Sequence, residues 1–109
     1  MRKHFTYESK YGNYEDCYFK VIRYATNNNL AIQIISETEG PITVVTKNIN
    51  KDLPDSQIAI KDYSENEGMV NWLYSIGIIG LNPVETILSG FVEIPVYEIT
   101  DTGREWLGL

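Results

Sequence analysis

Tyr18-Phe19-Lys20-Val21-Ile22-Arg23-Tyr24, then the Asn27-Asn28-Asn29 cluster, then Leu30-Ala31-Ile32-Gln33-Ile34-Ile35 is the stretch that decides the fold. Its two outer runs are aromatic and β-branched, the side chains that fit a pleated, half-buried surface. The asparagines between them suit a turn, because their short polar side chains bond nearby backbone and tolerate left-handed conformations. The pair predicts a β-hairpin. Thr38-Glu39-Gly40-Pro41 breaks the chain again, and Ile42-Thr43-Val44-Val45-Thr46-Lys47-Asn48-Ile49 reads as a third strand. After a polar loop around Pro54, Ile58-Ala59-Ile60-Lys61 is short and strand-like. Every connection is too short for a crossover helix, so an antiparallel meander is expected.

Further on, Ser64 and Glu67 have the spacing of a capping box for a helix that starts at Glu65. Met69, Trp72, Leu73 and Ile76 would form its buried stripe, and Gly77 would end it. Gly80-Leu81-Asn82-Pro83 reads as a turn and Val84 to Ser89 as a short strand. The run from Gly90 to Ile99 is a strand whose Pro95 belongs at an edge or a bulge. Along it Val92, Ile94 and Val96 share the inward parity. The expected fold is α+β, with a mainly antiparallel sheet of about five strands and one amphipathic helix packed on one face. One domain spans residues 1–109, with 1–17 as an N-terminal arm or hairpin and 100–109 as a tail with room for one helical turn around Arg104 to Leu107. The tyrosines Tyr7, Tyr11, Tyr14 and Tyr18 have helical spacing, while Gly12-Asn13 between them favours a hairpin turn.

Charge is unevenly placed along the chain. Residues 1–24 hold five Lys/Arg against three Asp/Glu, and residues 25–109 hold four against twelve, giving the net −6. An acidic molecule of this kind repels a phosphate backbone and stays soluble. No apolar run approaches the roughly 20 residues of a membrane span. The N-terminus lacks the apolar stretch of a secretory signal, and a lone cysteine suits a reducing cytoplasm.

Catalytic chemistry is thinly supplied. The chain has one histidine, His4, and one cysteine, Cys17, too few for a zinc site. Cys17 has no basic sequence neighbour to lower its pKa, so a buried inert thiol is expected rather than a nucleophile. Asp62, Glu65 and Glu67 lie close together, but no EF-hand pattern surrounds them, and helix capping accounts for them. Gly77, Gly80 and Gly90 sit in turns without the Lys-Ser/Thr partner of a phosphate loop. The expectation is therefore no enzyme, no metal and no cofactor.

The order Leu30-Ala31-Ile32-Gln33-Ile34, Thr43-Val44-Val45-Thr46-Lys47-Asn48-Ile49, Ile58-Ala59-Ile60-Lys61-Asp62-Tyr63 and Ser89-Gly90-Phe91 with Ile94-Pro95-Val96-Tyr97 resembles a family of small domains of unknown function. That family is common on phages and integrative elements of Gram-positive bacteria, and the resemblance covers roughly residues 18–99. Its motifs are structural, so no catalytic residue carries over. Where the family tends to have leucine ahead of its Thr-Val-Asn-type strand, this chain has Pro41-Ile42. The resemblance implies company among accessory proteins of mobile elements, which often antagonise host defence.

The resulting expectation is a non-enzymatic, cytoplasmic protein that binds and inhibits a host protein with a basic groove, in the manner of an anti-CRISPR inhibitor. Glu37, Glu39, Asp62, Glu65 and Glu67 would supply negative charge that imitates a nucleic-acid backbone, and Tyr11 and Tyr14 would be exposed anchors. Two alternatives stand beside it. Arg2, Lys3, Lys10, Lys20 and Arg23, mixed with the tyrosines, could stack on and bind single-stranded nucleic acid. A homodimer could instead form through an edge strand near Pro95.

Overall fold

In the computed structural model, which describes residues 3–109, strand β2 (Gly12–Arg23) pairs antiparallel with β3 (Leu30–Ser36) from Cys17 opposite Ser36 to Arg23 opposite Leu30. The turn between them closes when the Tyr24 amide donates to the Asn29 carbonyl at 2.9 Å, with Asn28 left-handed at φ 63°. Asn29 is buried because it is fully employed. Its amide nitrogen donates to the Lys51 carbonyl and its oxygen accepts from the Leu53 amide, both at 2.8 Å. Strands β1 (Phe5–Ser9) and β4 (Gly40–Val44) flank this pair, which gives a four-stranded sheet in the order β1-β2-β3-β4. Residues 5–23 are thus a hairpin that turns at Lys10-Tyr11.

The architecture is α+β and antiparallel, but it has two sheets rather than one of about five strands. The second holds β5 (Gln57–Ala59), β6 (Glu85–Ser89) and β7 (Val92–Glu98) in the order β5-β7-β6. The expected third strand, Ile42 to Ile49, is β4 only as far as Val44, and beyond it the backbone turns from β3 to the second sheet. The next three residues stitch the sheets together. Val45 donates to Ile32 and accepts from Lys61, Thr46 bridges Ile60, and Lys47 donates to Ala59.

Pro95 is not at an edge. It lies in the central strand β7, opposite Thr86 of β6. Its carbonyl accepts from Ile60, so its backbone faces the β5 side, where that strand has already ended at Ala59. The missing N–H therefore interrupts no β5 ladder bond. The same strand buries side chains on both faces. Ile94 and Val96 join Ile49 and Ala59 in a small cluster, while Tyr97 joins the main core of Ile32, Ile34, Ile58, Ile60, Met69 and Leu73. Each such fully buried aliphatic side chain contributes about 1.5–3 kcal/mol, so the two clusters together hold the sheets as one unit.

The helices also depart from the sequence reading. The expected start at Glu65 is replaced by a 3-10 turn, Ser64–Asn66, and then helix α1, Met69–Ser75. Gly68 takes φ 94°, which a continuous helix cannot contain, and Ser64 lies inside the 3-10 turn, whose cap position falls to Tyr63. Asn66, fully buried, fastens this segment to the sheet by donating to the Val44 carbonyl at 2.7 Å. Trp72 and Leu73 are buried against the sheets, in keeping with the expected stripe. The tail forms a two-turn helix α2, Asp101–Leu107. Thr100 caps it by accepting from the Gly103 amide at 2.9 Å, and Gly108 ends it in the left-handed region.

Candidate functional site

Hairpin β1–β2 and its neighbours carry most of the residues selected from sequence, and the fold divides them into two places. Tyr11, Tyr14 and Glu65 line one shallow cleft with Tyr7, Ile42 and Thr43. Tyr11, in the turn, is 68% exposed, with the Lys10 ammonium 5.2 Å from its ring centre. Tyr14 is only half-exposed, because its ring stacks on buried Tyr7 at 6.2 Å. Of the two proposed anchors, then, Tyr11 alone stands clear of the core. Tyr7 has its hydroxyl pushed up to about 12, first by burial and then by Tyr14, Glu65 and Asp62.

The three carboxylates near this cleft are occupied. Asp62 accepts from the backbone amides of Gly68 at 2.6 Å and Met69 at 3.2 Å, so it holds the start of α1. Glu65 pairs with Lys61 four residues earlier, and that hydrogen bond holds its carboxyl below the usual range. Glu67 pairs with Lys10 at 2.9 Å, and the same contact raises the lysine. Exposed pairs of this kind stabilise by at most about 1 kcal/mol, yet they cancel charge locally.

Glu37 and Glu39 belong to a different corner. The turn between β3 and β4 lies beside a bulge of β2 at Glu15-Asp16, where Asp16 is left-handed at φ 55° and its carbonyl accepts from the Glu37 amide at 3.0 Å. Glu15, Asp16, Glu37 and Glu39 are all exposed there. The His4 imidazole reaches Glu37 at 3.3 Å and Asp16 at 4.0 Å, and among the described residues Glu39 has no ion-pair partner. The sequence reading missed Glu15, Asp16 and His4. Phe5 opposite Cys17 but Tyr7 opposite Tyr14 is the two-for-one register that creates this bulge, and no local motif announces it.

Of the four described cations of the N-terminal segment, three are engaged by acids. Lys3 pairs with Glu105, Lys10 with Glu67 and Arg23 with Asp55, so three cations of the first 24 residues are matched by acids of the remainder. Lys20 is exposed without an ion pair among the described residues, and Arg2 lies outside them. Tyr7 is buried, which removes one ring from any stacking platform. Pro95 itself lies in the central strand β7, and the edge strand beside it is β6, whose Thr86 it faces.

Elsewhere, an open hollow of about 530 Å³ is lined by Thr26, Asn27, Asn48, Asn50, Lys51 and Asp52. Two of its side-chain amides are tied into the loop packing, Asn27 donating to Asn48 and Asn48 to Thr26. Among the described residues no three His, Cys, Asp or Glu side chains converge as a metal-binding group. Among the described residues no helix is long and apolar enough to cross a membrane. Compared with family models, curated proteins and solved structures, the chain matches none of them.

Proposed function

We propose that this chain is a non-enzymatic, acidic accessory protein of a phage or mobile element that binds and inhibits a host protein in the host cytoplasm. Its target is a nucleic-acid-binding effector with a basic groove, and in the sharpest form the protein acts as an anti-CRISPR inhibitor. One observation carries this reading. The Glu15-Asp16 bulge and the Glu37–Glu39 turn present four exposed carboxylates, with only His4 in ion-pair range among the described residues.

Charges clustered on one corner produce a directional field that speeds encounter with a basic surface, more strongly at low salt. Tyr11 supplies the exposed aromatic anchor, with large contact area and little side-chain entropy to lose. Glu65 and Glu67 contribute less than their sequence positions suggested, since Lys61 and Lys10 neutralise them. Asp62 is committed to backbone amides and drops out of the recognition set.

The test uses guide-loaded CRISPR effectors of the host and reads target-DNA binding with and without the protein at two salt concentrations. Wild type should lower target binding, while Glu15→Lys/Glu37→Lys/Glu39→Lys should associate more slowly and with a flatter salt dependence. Inhibition by the reversed variant with unchanged kinetics would sink the electrostatic mechanism, and no inhibition of any effector would sink the anti-CRISPR form.

A further inference from the structure

Among the described residues three of the four sheet edges are covered or interrupted, β5 because Gln57 donates to the Pro54 carbonyl and Lys47 donates to the Ala59 carbonyl along its outer side. The outer side of β4 is covered where Asn66 takes the Val44 carbonyl, and β1 carries a register shift with charged Glu8 and Lys10 at its end. Strand β6 pairs only with β7, and from Glu85 to Ser89 its register is regular. It contains no lysine and no proline, the residues that usually blunt an edge. Since β6 alternates, Glu85, Ile87 and Ser89 turn their backbone groups to β7, and Thr86 and Leu88 turn theirs to the open side. Exposed apolar side chains accompany this edge: Val84 at 48%, Leu88 at 70% and Phe91 at 106%.

We propose that β6 is a self-association edge, on which β6 of a second copy of this chain docks antiparallel about a two-fold axis at Ile87. This register is self-complementary. It sets Thr86 of one copy opposite Leu88 of the other, so the outward N–H and C=O groups of both are satisfied in reciprocal pairs. It sets Glu85 opposite Ser89, so no carboxylate meets its own copy in a molecule of net charge −6. Glu85 is in addition neutralised by Lys51 at 2.7 Å. The same register brings exposed Val84 beside the Gly90-Phe91 turn of the other copy, covering apolar surface on both. The product is a six-stranded sheet, β5-β7-β6 continued by its symmetry mate. The edge lies in the other sheet from the acidic corner, and this inference does not rest on that reading.

Sedimentation of the full chain over a micromolar to millimolar series tests it. The mass should rise from 12.5 kDa towards twice that value. Leu88→Asp, which changes an exposed side chain, should stay monomeric over the whole series while keeping the wild-type circular dichroism. A wild type that remains monomeric overturns the proposal, including when it gains mass only with a foreign protein. A Leu88→Asp variant that dimerises as well as wild type overturns it too. The register has its own test: Ile87→Cys should cross-link to its own copy on oxidation, and Leu88→Cys, which faces Thr86, should not. Equal cross-linking at both positions would refute the two-fold at Ile87.

Discussion

The Asp62 carboxylate accepts the Gly68 backbone N–H at 2.6 Å, and that contact fastens the break between the 3-10 turn and α1. A residue that looks like surface charge in the sequence is a cap in the fold.

Asp62→Ala should therefore destabilise the protein by about 1–2 kcal/mol, the usual cost of losing a cap. Glu39→Ala, which removes a carboxylate with no ion-pair partner among the described residues, should stay within about 0.5 kcal/mol. Urea unfolding followed by tryptophan fluorescence separates the two. Equal effects would mean that Asp62 is as free as Glu39.

Gly103 of α2 has no room for a methyl group. A Cβ there would lie 2.5 Å from the Ile78 carbonyl oxygen and 2.8 Å from Ile99 Cγ2. Backbone cannot swing aside as a side chain does, so Gly103→Ala should cost about 1–3 kcal/mol. Gly80→Ala, with nothing within 4 Å, is the matched control and should be nearly neutral. Thermal unfolding reads both.

Tyr7 makes stability fall in alkali. Its pKa is raised from 10.0 unfolded to about 12 folded, so the unfolded chain gives up the proton first. The contribution is fully present below pH 10 and is lost as pH rises towards 12. Tyr7→Phe should flatten this fall, as measured by urea unfolding at pH 9, 10 and 11. Parallel curves for wild type and variant would show that another group is responsible.

Cys17 is fully buried, with its thiol 3.3 Å from the Tyr14 carbonyl, which accepts from it. Burial pushes the thiol up, and Glu39 and Asp16 add to the effect against the lowering contributed by the Tyr7 backbone. At pH 8 the folded protein should react with a thiol reagent far more slowly than the urea-unfolded chain. Rapid stoichiometric labelling under native conditions would contradict this burial.

Much of the fold was legible because local chemistry and tertiary packing agree. Tyr18 to Ile35 reads as a hairpin and is one, and Trp72 and Leu73 have the spacing of a buried stripe. Legibility failed where a single backbone angle decided the outcome. Ser64 and Glu67 spell a capping box, yet Gly68 at φ 94° delays the helix to Met69. Pro95 signals an edge, yet it sits in a central strand because β5 is too short to need its N–H.

The candidate site was harder to read. Glu37 and Glu39 could be found as turn acids, but Asp16 joins them only through a bulge, whose register depends on strand pairing rather than on local sequence. Tyr14 and Tyr11 look alike in the chain, and only the stack on Tyr7 tells them apart.

The amino-acid order by itself set the net charge, the β-rich pattern and the scarcity of metal ligands, because these depend on residue type and near neighbours. The arrangement of that charge was a tertiary decision. Folding carries Lys3, Lys10 and Arg23 onto Glu105, Glu67 and Asp55, which are at least 32 positions away, and so pairs off three cations of the basic segment. Coulomb energy follows distance in space, and distance along the chain does not report it.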